Sequence, residues 1–205
     1  MLNIKTTLNN ILKVLLLAAF WLSASLICIG CSLSYAKELP YSFTAKVEYV
    51  YDGDTIYAKD STNNYHRIRL AYIDAPEKDQ PYGIEATKIL RSLVQDQTVL
   101  VSVLDIDKYG REVGNVYYGQ PAGQVQWSIS TDTSASGPVP VAHSASETML
   151  KKGAAWHYSY FDKYNSFLNL HKELETEARL APRGLWKDAT AIPPWQWRKL
   201  HKNEN

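Results

Sequence analysis

The chain has 205 residues, of which 45% are hydrophobic and 21% charged, so its composition is that of a globular domain and excludes wholesale disorder. No self-similarity occurs at the periods of repeat solenoids. Residues 1–36 hold two lysines and no acid, and the remainder carries 20 basic and 21 acidic groups. This balance excludes a uniformly basic nucleic-acid-binding coat and leaves room only for a local basic patch.

The first 36 residues have the pattern of a secretory signal peptide. Lys5 and Lys13 precede an apolar run, Val14–Gly30, that only two serines interrupt. Residues 34–36 place small side chains at the −3 and −1 positions of a signal-peptidase site. We therefore expect cleavage after Ala36 and a mature chain that starts near Lys37.

Two alternatives stay open for this leader. Its run of about 17 apolar residues is at the short end for a membrane span, which leaves room for an uncleaved anchor. Cleavage before a lipidated Cys31 is the other, although Cys28 is a poor residue at the −3 position. Both cysteines of the chain lie in the leader, so a mature chain cut at Ala36 has neither a disulfide nor a thiolate metal site. The sequence predicts a secreted or periplasmic protein, or one anchored at the envelope.

Residues 43–118 are mostly strand-like. The predicted strands are Phe43–Tyr51, Thr55–Lys59, Tyr65–Ile73, Val99–Leu104 and Val113–Tyr118. Turn residues separate them at Asp52-Gly53, Asn63-Asn64 and Asp107–Gly110. Five short strands with helices inserted late predict an α+β fold, built on a partly open five-stranded β-barrel of the oligonucleotide/oligosaccharide-binding (OB) kind.

About three helices are expected to pack on this barrel. They are Tyr82–Val94, Ser146–Lys152, ended by Gly153, and Asp162–Ala181, ended by Pro182. Residues 120–145 are a polar insertion, in which Trp127 and Ile129 are candidates for a short strand. We expect one domain over residues 37–186, followed by a tail over 187–205 that is rich in Trp, Pro and basic residues.

The five histidines lie in no zinc-binding spacing. His171 and His201 are each followed by a lysine, and both are expected to face solvent. No phosphate-binding glycine loop and no serine-nucleophile motif occurs in the sequence. By elimination, metal-assisted or arginine-assisted chemistry at an acidic site remains.

Carboxylates cluster at two places in the strand region. Asp52 and Asp54 flank Gly53, which is typical of a hairpin turn. A carboxylate at the start of a strand is nevertheless disfavoured, and a metal would explain Asp54 there. Asp54, Asp74 and Glu77 together could supply an all-oxygen site for Ca²⁺ or Mg²⁺.

Two arginines accompany these carboxylates. Arg69 lies inside a predicted strand, where a charge is costly unless it is paired. Strict alternation places Arg69 and Asp74 on opposite faces, so both meet one ligand only if the strand ends or bulges before Asp74. Arg111, in a turn, is at this point either a solvated charge at a rim or a site residue.

In their order and spacing, these clusters resemble the staphylococcal nuclease (thermonuclease) family. The motifs that carry the resemblance are D-G-D-T at 52–55, R-x-x-x-x-D-x-P-E at 69–77 and D-K-Y-G-R at 107–111. Residues 82–86, 153–158 and 183–186 also look like that family, and P-P-W-Q-W-R at 193–198 resembles the tail of its exported bacterial members. The resemblance covers residues 43–118 and 146–186 and implies an OB-fold endonuclease, a hydrolase of DNA and RNA that leaves 3′-phosphate ends.

The resemblance also implies a metal site. Asp54 and Asp74 would be carboxylate ligands of one Ca²⁺ ion, and the carbonyl of Ala75 would be a backbone ligand. Thr55 would lie beside the metal, and Asp52 would be a carboxylate outside its ligand shell.

The remaining roles implied by the resemblance concern the reaction and the substrate. Glu77 would be the general base, or the group that orients the attacking water, while Arg69 and Arg111 would bind the scissile phosphate. Bases would stack on tyrosines, for each of which core packing is an equal alternative: Tyr82, Tyr109, Tyr158 and Tyr160. The implied partners are DNA and RNA as substrates, with a monomeric protein, no obligate protein partner, and contact with a membrane only through the leader.

A second class of function stays open at this point. Degenerate copies of this fold act as non-catalytic modules that bind nucleic acid or a protein. Such a module has no need of Asp54, Arg69, Asp74, Glu77 and Arg111 together, and this set therefore favours the nuclease.

Overall fold

The computed structural model describes residues 39–119, 142–164 and 169–202. Its strands are β1 (Tyr41–Val50), β2 (Thr55–Asp60), β3 (Tyr65–Leu70), β4 (Ile73–Asp74), β5 (Thr98–Ile106), β6 (Glu112–Tyr118), β7 (His143–Ser144) and β8 (Trp156–His157). The five predicted strands correspond to β1, β2, β3, β5 and β6, which pair in the order β3-β2-β1-β5-β6. A parallel pairing of β3 with β6, with Arg69 opposite Val113, closes the sheet and confirms the five-stranded barrel.

Aliphatic side chains fill the barrel, because alternate residues of each strand point inward. The fully buried residues include Val47, Ile56, Ile68, Val101 and Val116. At Gly114 the neighbouring strand comes so close that a Cβ would lie 2.4 Å from the carbonyl oxygen of Ser102. Only a glycine fits this crossing of β5 and β6.

The third predicted strand ends earlier than expected. β3 stops at Leu70, and the chain turns through Ala71 and Tyr72, whose φ is +67°. The Ala71 N–H donates to the carbonyl of Gly114, and its carbonyl accepts from the hydroxyl of Ser146, so tertiary partners replace a strand neighbour. The prediction of one strand over Tyr65–Ile73 is therefore wrong at its end, and the alternation between Arg69 and Asp74 is broken.

The described residues contain four α-helices. They are α1 (Gly83–Val94), α2 (Ala145–Lys151), α3 (Leu170–Leu180) and α4 (Pro194–Leu200). α1 and α2 match two predicted helices within a residue or so. α2 begins at a cap in which Ser144 Oγ accepts from the Glu147 N–H, and Gly153 follows it with a φ of +65°.

The third predicted helix, Asp162–Ala181, is wrong over its first turns. Residues 159–164 form a separate 3₁₀ turn, Ser159–Tyr164, and α3 starts only at Leu170. A hydrogen bond of 2.9 Å between His157 Nε2 and Asp162 Oδ1 ties the turn back to β8. Phe167, predicted for the apolar stripe, lies outside the described residues.

His171, on the first turn of α3, is buried rather than facing solvent. Only 5% of the residue is exposed, and its ring stacks on Tyr72 with 4.4 Å between the centroids. The expectation for His171 was wrong because a lysine neighbour says nothing about the direction of the preceding side chain on a helix.

The segment after α3 contains two short helical elements that the sequence analysis did not predict. A 3₁₀ turn over Gly184–Lys187 buries Leu185, and α4 follows with Pro194 at its start. The Gln80 side chain donates to the carbonyl of Ile192 at 2.8 Å and ties the approach to α4 to the loop before α1. Along the described ranges, no helix is both long and apolar enough to cross a membrane.

The polar insertion is described only at its end. His143 and Ser144 pair with Tyr118 and Tyr117 at the edge of β6, and Ala145 already belongs to α2. Trp127 and Ile129, predicted for a short strand, lie outside the described residues.

Candidate active site

An open pocket of about 730 Å³ lies where the strand ends meet the C-terminal helix. Its walls come from the β1–β2 turn, the end of β3, β4 and the loop after it, the β5–β6 turn, residues 158–161 and α4. The break after β3 is what turns Asp74 toward this pocket. Chain segments that are distant in sequence thus meet at one place.

Arg69 is held between two buried aspartates. Its Nη2 atom lies 3.4 Å from Asp54 Oδ2 and 3.2 Å from Asp74 Oδ1, and all three residues are at least nine-tenths buried. Burial alone would lower the pKa of Arg69, but the charges of Asp54 and Asp74 outweigh it and raise that pKa. The arginine is therefore permanently charged. Its ion pairs with the two aspartates offset the cost of burying a charge inside a strand.

Burial raises the pKa of the Asp74 and Asp52 carboxyls. For Asp74, desolvation is the largest cause, and the charge of Asp54 raises the pKa further. A hydrogen bond from Arg198 and the charges of Arg69 and Arg198 lower it, but by less. For Asp52, desolvation again comes first, followed by the charge of Asp54. Six acidic and four basic side chains line the pocket, so its lining has an excess of acidic groups, which an added cation would offset.

The β1–β2 turn fixes Asp54 through short contacts. Asp52 Oδ1 accepts from the Asp54 N–H at 3.0 Å, and the Thr55 hydroxyl donates to Asp54 Oδ1 at 2.8 Å. A Cβ at Gly53 would lie 2.6 Å from the Cβ of Ala75, so the glycine lets the turn pack against the segment after β4. The D-G-D-T motif is thus more than a hairpin turn.

Arg111 is a positioned pocket residue rather than a solvated rim charge. Its Nε donates to Asp107 Oδ2 at 2.7 Å, and its Nη1 donates to Thr55 Oγ1 at 3.2 Å. Burial tends to raise the pKa of Asp107, but hydrogen bonds from Arg111 and the Tyr109 N–H lower it overall. Asp107 therefore stays ionised and anchors the guanidinium.

Arg198 of α4 is a pocket residue that the sequence analysis missed. Its Nη2 donates to Asp74 Oδ2 at 2.7 Å, and its Nη1 donates to Glu77 Oε1 at 2.6 Å. The P-P-W-Q-W-R motif was the available signal, but it indicated no role for its arginine. The C-terminal helix therefore places a third guanidinium on the carboxylates of the pocket.

Three of the four predicted tyrosines line the pocket. Tyr109 and Tyr160 are 65% and 56% exposed, and the Arg69 guanidinium lies 5.4 Å from the ring centroid of Tyr158. Tyr82 does not line it. This residue precedes α1 with a φ of +71°, packs against the core and borders a separate cavity beside Trp156 and Trp197.

The donor set suits a hard divalent cation. The carboxylates of Asp54 and Asp74 approach the same Arg69 nitrogen, so their oxygens converge, and Ala75 lines the pocket beside them. Within the described ranges, no three His, Cys, Asp or Glu side chains are grouped to hold a metal. Ca²⁺ accepts backbone carbonyls and water among its 6–8 oxygen ligands. A cation here would take two carboxylates, the Ala75 carbonyl and water.

Fold and pocket together define a class, that of α+β proteins in which an OB barrel carries acidic and arginine side chains at its strand ends. Comparison with known proteins is consistent with that class. A family model described as staphylococcal nuclease homologue matches residues 67–188. The chain belongs to the staphylococcal nuclease family, as the resemblance implied.

Individual relatives carry nuclease names. The chain is 40% identical over 153 residues to a protein of Escherichia coli O157:H7 named "Uncharacterized endonuclease", covering 75% of this chain and 83% of that one. It is 36% identical over 163 residues to "Micrococcal nuclease" of Shigella flexneri, with 78% and 83% covered. A "Probable staphylococcal-like nuclease CAN2" of Oryza sativa subsp. japonica is 36% identical over 138 residues, with 67% of this chain and 30% of the relative covered.

Proposed function

We propose that the protein is an exported, Ca²⁺-dependent endonuclease that hydrolyses DNA and RNA by attack of water on phosphorus. The family and its nuclease-named relatives support nuclease activity on nucleic acids. The observation that carries the finer proposal is the meeting of Asp54, Asp74, Arg69 and Arg111 in one open pocket. Neither a turn nor a hydrophobic core needs these four residues together.

The two arginines are suited to stabilise the transition state. Attack on a phosphodiester builds negative charge on the phosphoryl oxygens, which a guanidinium can meet with two parallel N–H groups. Arg69 and Arg111 are both held by aspartates, so little reorganisation is needed when substrate arrives. Ca²⁺ bound at Asp54 and Asp74 would supply further positive charge against the same oxygens.

Glu77 is the proposed general base, or the group that orients the attacking water. Its side chain is 35% exposed at the pocket, and its N–H donates to Gln80 Oε1 at 3.1 Å, which fixes the loop. A positioned base contributes about 10²–10⁴-fold to a rate, so the arginines and the metal must supply much of the acceleration. The contact of Arg198 with Glu77 Oε1 has to open before that oxygen can accept a proton.

Three further elements belong to the proposal. Export, to the periplasm or the medium or as an envelope-anchored form, rests on the leader sequence of residues 1–36. Base stacking in the pocket is assigned to Tyr109, Tyr158 and Tyr160, which line it. The protein acts on nucleic acid as a monomer, without an obligate protein partner.

A digestion assay tests this function. Purified protein is incubated with denatured DNA and with RNA, in Ca²⁺ and in a Ca²⁺ chelator, and the product ends are mapped. We expect degradation in Ca²⁺ that stops under chelation and returns when Ca²⁺ is restored, with 3′-phosphate ends. Degradation that ignores the chelator would contradict the metal dependence. Binding without degradation in Ca²⁺ would instead support the non-catalytic module.

A further inference from the structure

The outer surface of β1, β2 and β3 carries a regular set of tyrosines and cations. The outward positions on these strands include Tyr49 on β1, Tyr57 and Lys59 on β2, and Tyr65 and Arg67 on β3. Together with Tyr51, these residues form what we call the tyrosine face. Tyr49 and Tyr65 are 48% and 71% exposed. Large aromatic rings displayed together on a surface commonly mark a binding site.

The rings and cations of this face are arranged in rows across the strands. Tyr49 lies opposite Tyr57, with 6.2 Å between ring centroids, and Tyr57 lies opposite Arg67, whose guanidinium is 5.9 Å from the tyrosine ring. In the next row, Lys59 lies opposite Tyr65, with its Nζ 5.1 Å from the ring. Aromatic rings and positive charges are therefore neighbours on all three strands.

The tyrosine face continues to the rim of the pocket. Lys78 Nζ lies 3.3 Å from the ring centroid of Tyr51, and that ring lies 6.3 Å from Tyr57. Lys78 follows Glu77 in sequence and Tyr51 precedes Asp52, and both of those carboxylates line the pocket. Lys78 and Tyr51 therefore connect the pocket to the tyrosine face, and a ligand that extends out of the pocket would meet them first.

The face is basic although the chain is not. Lys59, Arg67 and Lys78 lie on or beside it, and Lys46 lies directly opposite Lys59. Like charges placed opposite each other weaken a sheet, so this pair serves stability poorly and suits an anionic ligand. Two acidic residues lie on β1 and β2 near these cations. Glu48 is at an irregularity of β1, and Asp60 pairs with buried Ala45, so alternation turns its side chain to the side of the sheet opposite Lys59.

We propose that the tyrosine face, with Lys78, is a binding platform for single-stranded nucleic acid that leads into the catalytic pocket. Bases stack on exposed aromatic rings, and cations between the rings neutralise phosphates, which is how proteins bind single strands without reading their sequence. A duplex keeps its bases stacked inside and cannot use the rings in this way. The proposal rests on the proposed nuclease function for the identity of the ligand.

Binding of a labelled single strand tests the platform. Fluorescence anisotropy of a 20-nucleotide oligothymidine is measured with chelator present, so that the strand stays uncut. A Tyr49→Ala/Tyr57→Ala variant should bind at least about fivefold more weakly than the wild type, while Tyr57→Phe, which keeps the ring, should bind as the wild type does. Thermal unfolding of each variant confirms that it is folded at the assay temperature.

The charges of the face are tested by the salt dependence of the same binding. Lys59→Gln/Arg67→Gln should lower the slope of log Kd against log salt by about 1.4, since each phosphate contact in a single strand contributes about 0.7. Lys88→Gln, an exposed lysine on α1, is the matched control and should leave the slope unchanged. Unchanged affinity and slope in both face variants would overturn the proposal and point to a protein ligand for the face.

A cleavage assay separates this inference from the proposed function. In Ca²⁺, the tyrosine variant should cleave a trinucleotide as fast as the wild type and should show a raised KM only on the 20-mer. Wild-type protein that binds the 20-mer through the face but cuts nothing would contradict the nuclease function and leave the platform supported. A loss of duplex affinity equal to the loss for single strands would overturn the stacking argument.

Discussion

Single residues in the pocket are held by partners that lie far away in sequence. Arg69 forms ion pairs with Asp54 and Asp74. Arg111 donates hydrogen bonds to Asp107 and Thr55. Removing one member of such a buried set leaves the others with an uncompensated charge. Substitutions that keep the hydrogen bonds of a pocket residue should therefore be milder than truncations to alanine.

A residue outside the pocket gives a prediction about pH. Burial lowers the pKa of His171 to about 4. The charge of His157 lowers this pKa further, and the charge of Asp162 partly offsets both effects. In the unfolded chain this histidine has an ordinary pKa of about 6.5. Between about pH 6.5 and about pH 4, His171 is therefore protonated in the unfolded chain and neutral in the folded protein. The free energy of unfolding should fall as pH drops from about 6.5 to about 4, and His171 should contribute to that loss.

Denaturant unfolding at several pH values checks this prediction. His171→Phe keeps an aromatic ring against Tyr72 but cannot take up a proton, so it should lose less stability than the wild type over the same pH range. His143→Phe, at an exposed histidine, is the control and should follow the wild type. Stability curves of His171→Phe and wild type that run parallel between pH 6.5 and 4 would contradict the assigned cause.

At the scale of elements, two departures from regular structure build the site. The turn after β3, at Ala71 and Tyr72, brings Asp74 to the side of Arg69. The short helix α4 then brings Arg198 onto Asp74 and Glu77 from the end of the described chain. The barrel holds Asp54 and Arg69 in place, while the turn after β3 and helix α4 add Asp74 and Arg198 to them.

The placement of Arg198 on α4 predicts a change in metal binding. Its guanidinium contacts both oxygens of Asp74, which a cation would also need. Arg198→Ala should therefore bind Ca²⁺ about tenfold more tightly, since about 1.4 kcal/mol of competing interaction corresponds to that factor. Calorimetric titration with Ca²⁺, without nucleic acid, measures the effect.

Lys199→Ala is the matched control for Arg198→Ala. It removes one positive charge from the same helix at an exposed position, so it reports the general effect of charge on Ca²⁺ affinity. Equal Kd values for Arg198→Ala and Lys199→Ala would show that Arg198 does not compete for the carboxylates.

At the scale of the whole molecule, periodicity and motifs predicted the barrel, α1, α2 and five charged residues of the pocket, Asp54, Arg69, Asp74, Glu77 and Arg111. These features depend on local alternation, turn residues and closely spaced motifs, all of which one sequence displays. The end of β3 was not predictable in this way, because tertiary hydrogen bonds to Gly114 and Ser146 decide it. Arg198 was missed because its partners lie more than 120 positions away, where no spacing rule applies.

The central claim is that the pocket is a nuclease active site, and Glu77→Gln tests it most directly. Single-turnover cleavage of an oligonucleotide in Ca²⁺ is compared with the affinity for the same strand under chelation, using Glu85→Gln on α1 as the control. We expect Glu77→Gln to lower the cleavage rate by about 10²-fold or more, with little change in affinity for the strand. A Glu77→Gln variant that cleaves as fast as the wild type would contradict the central claim.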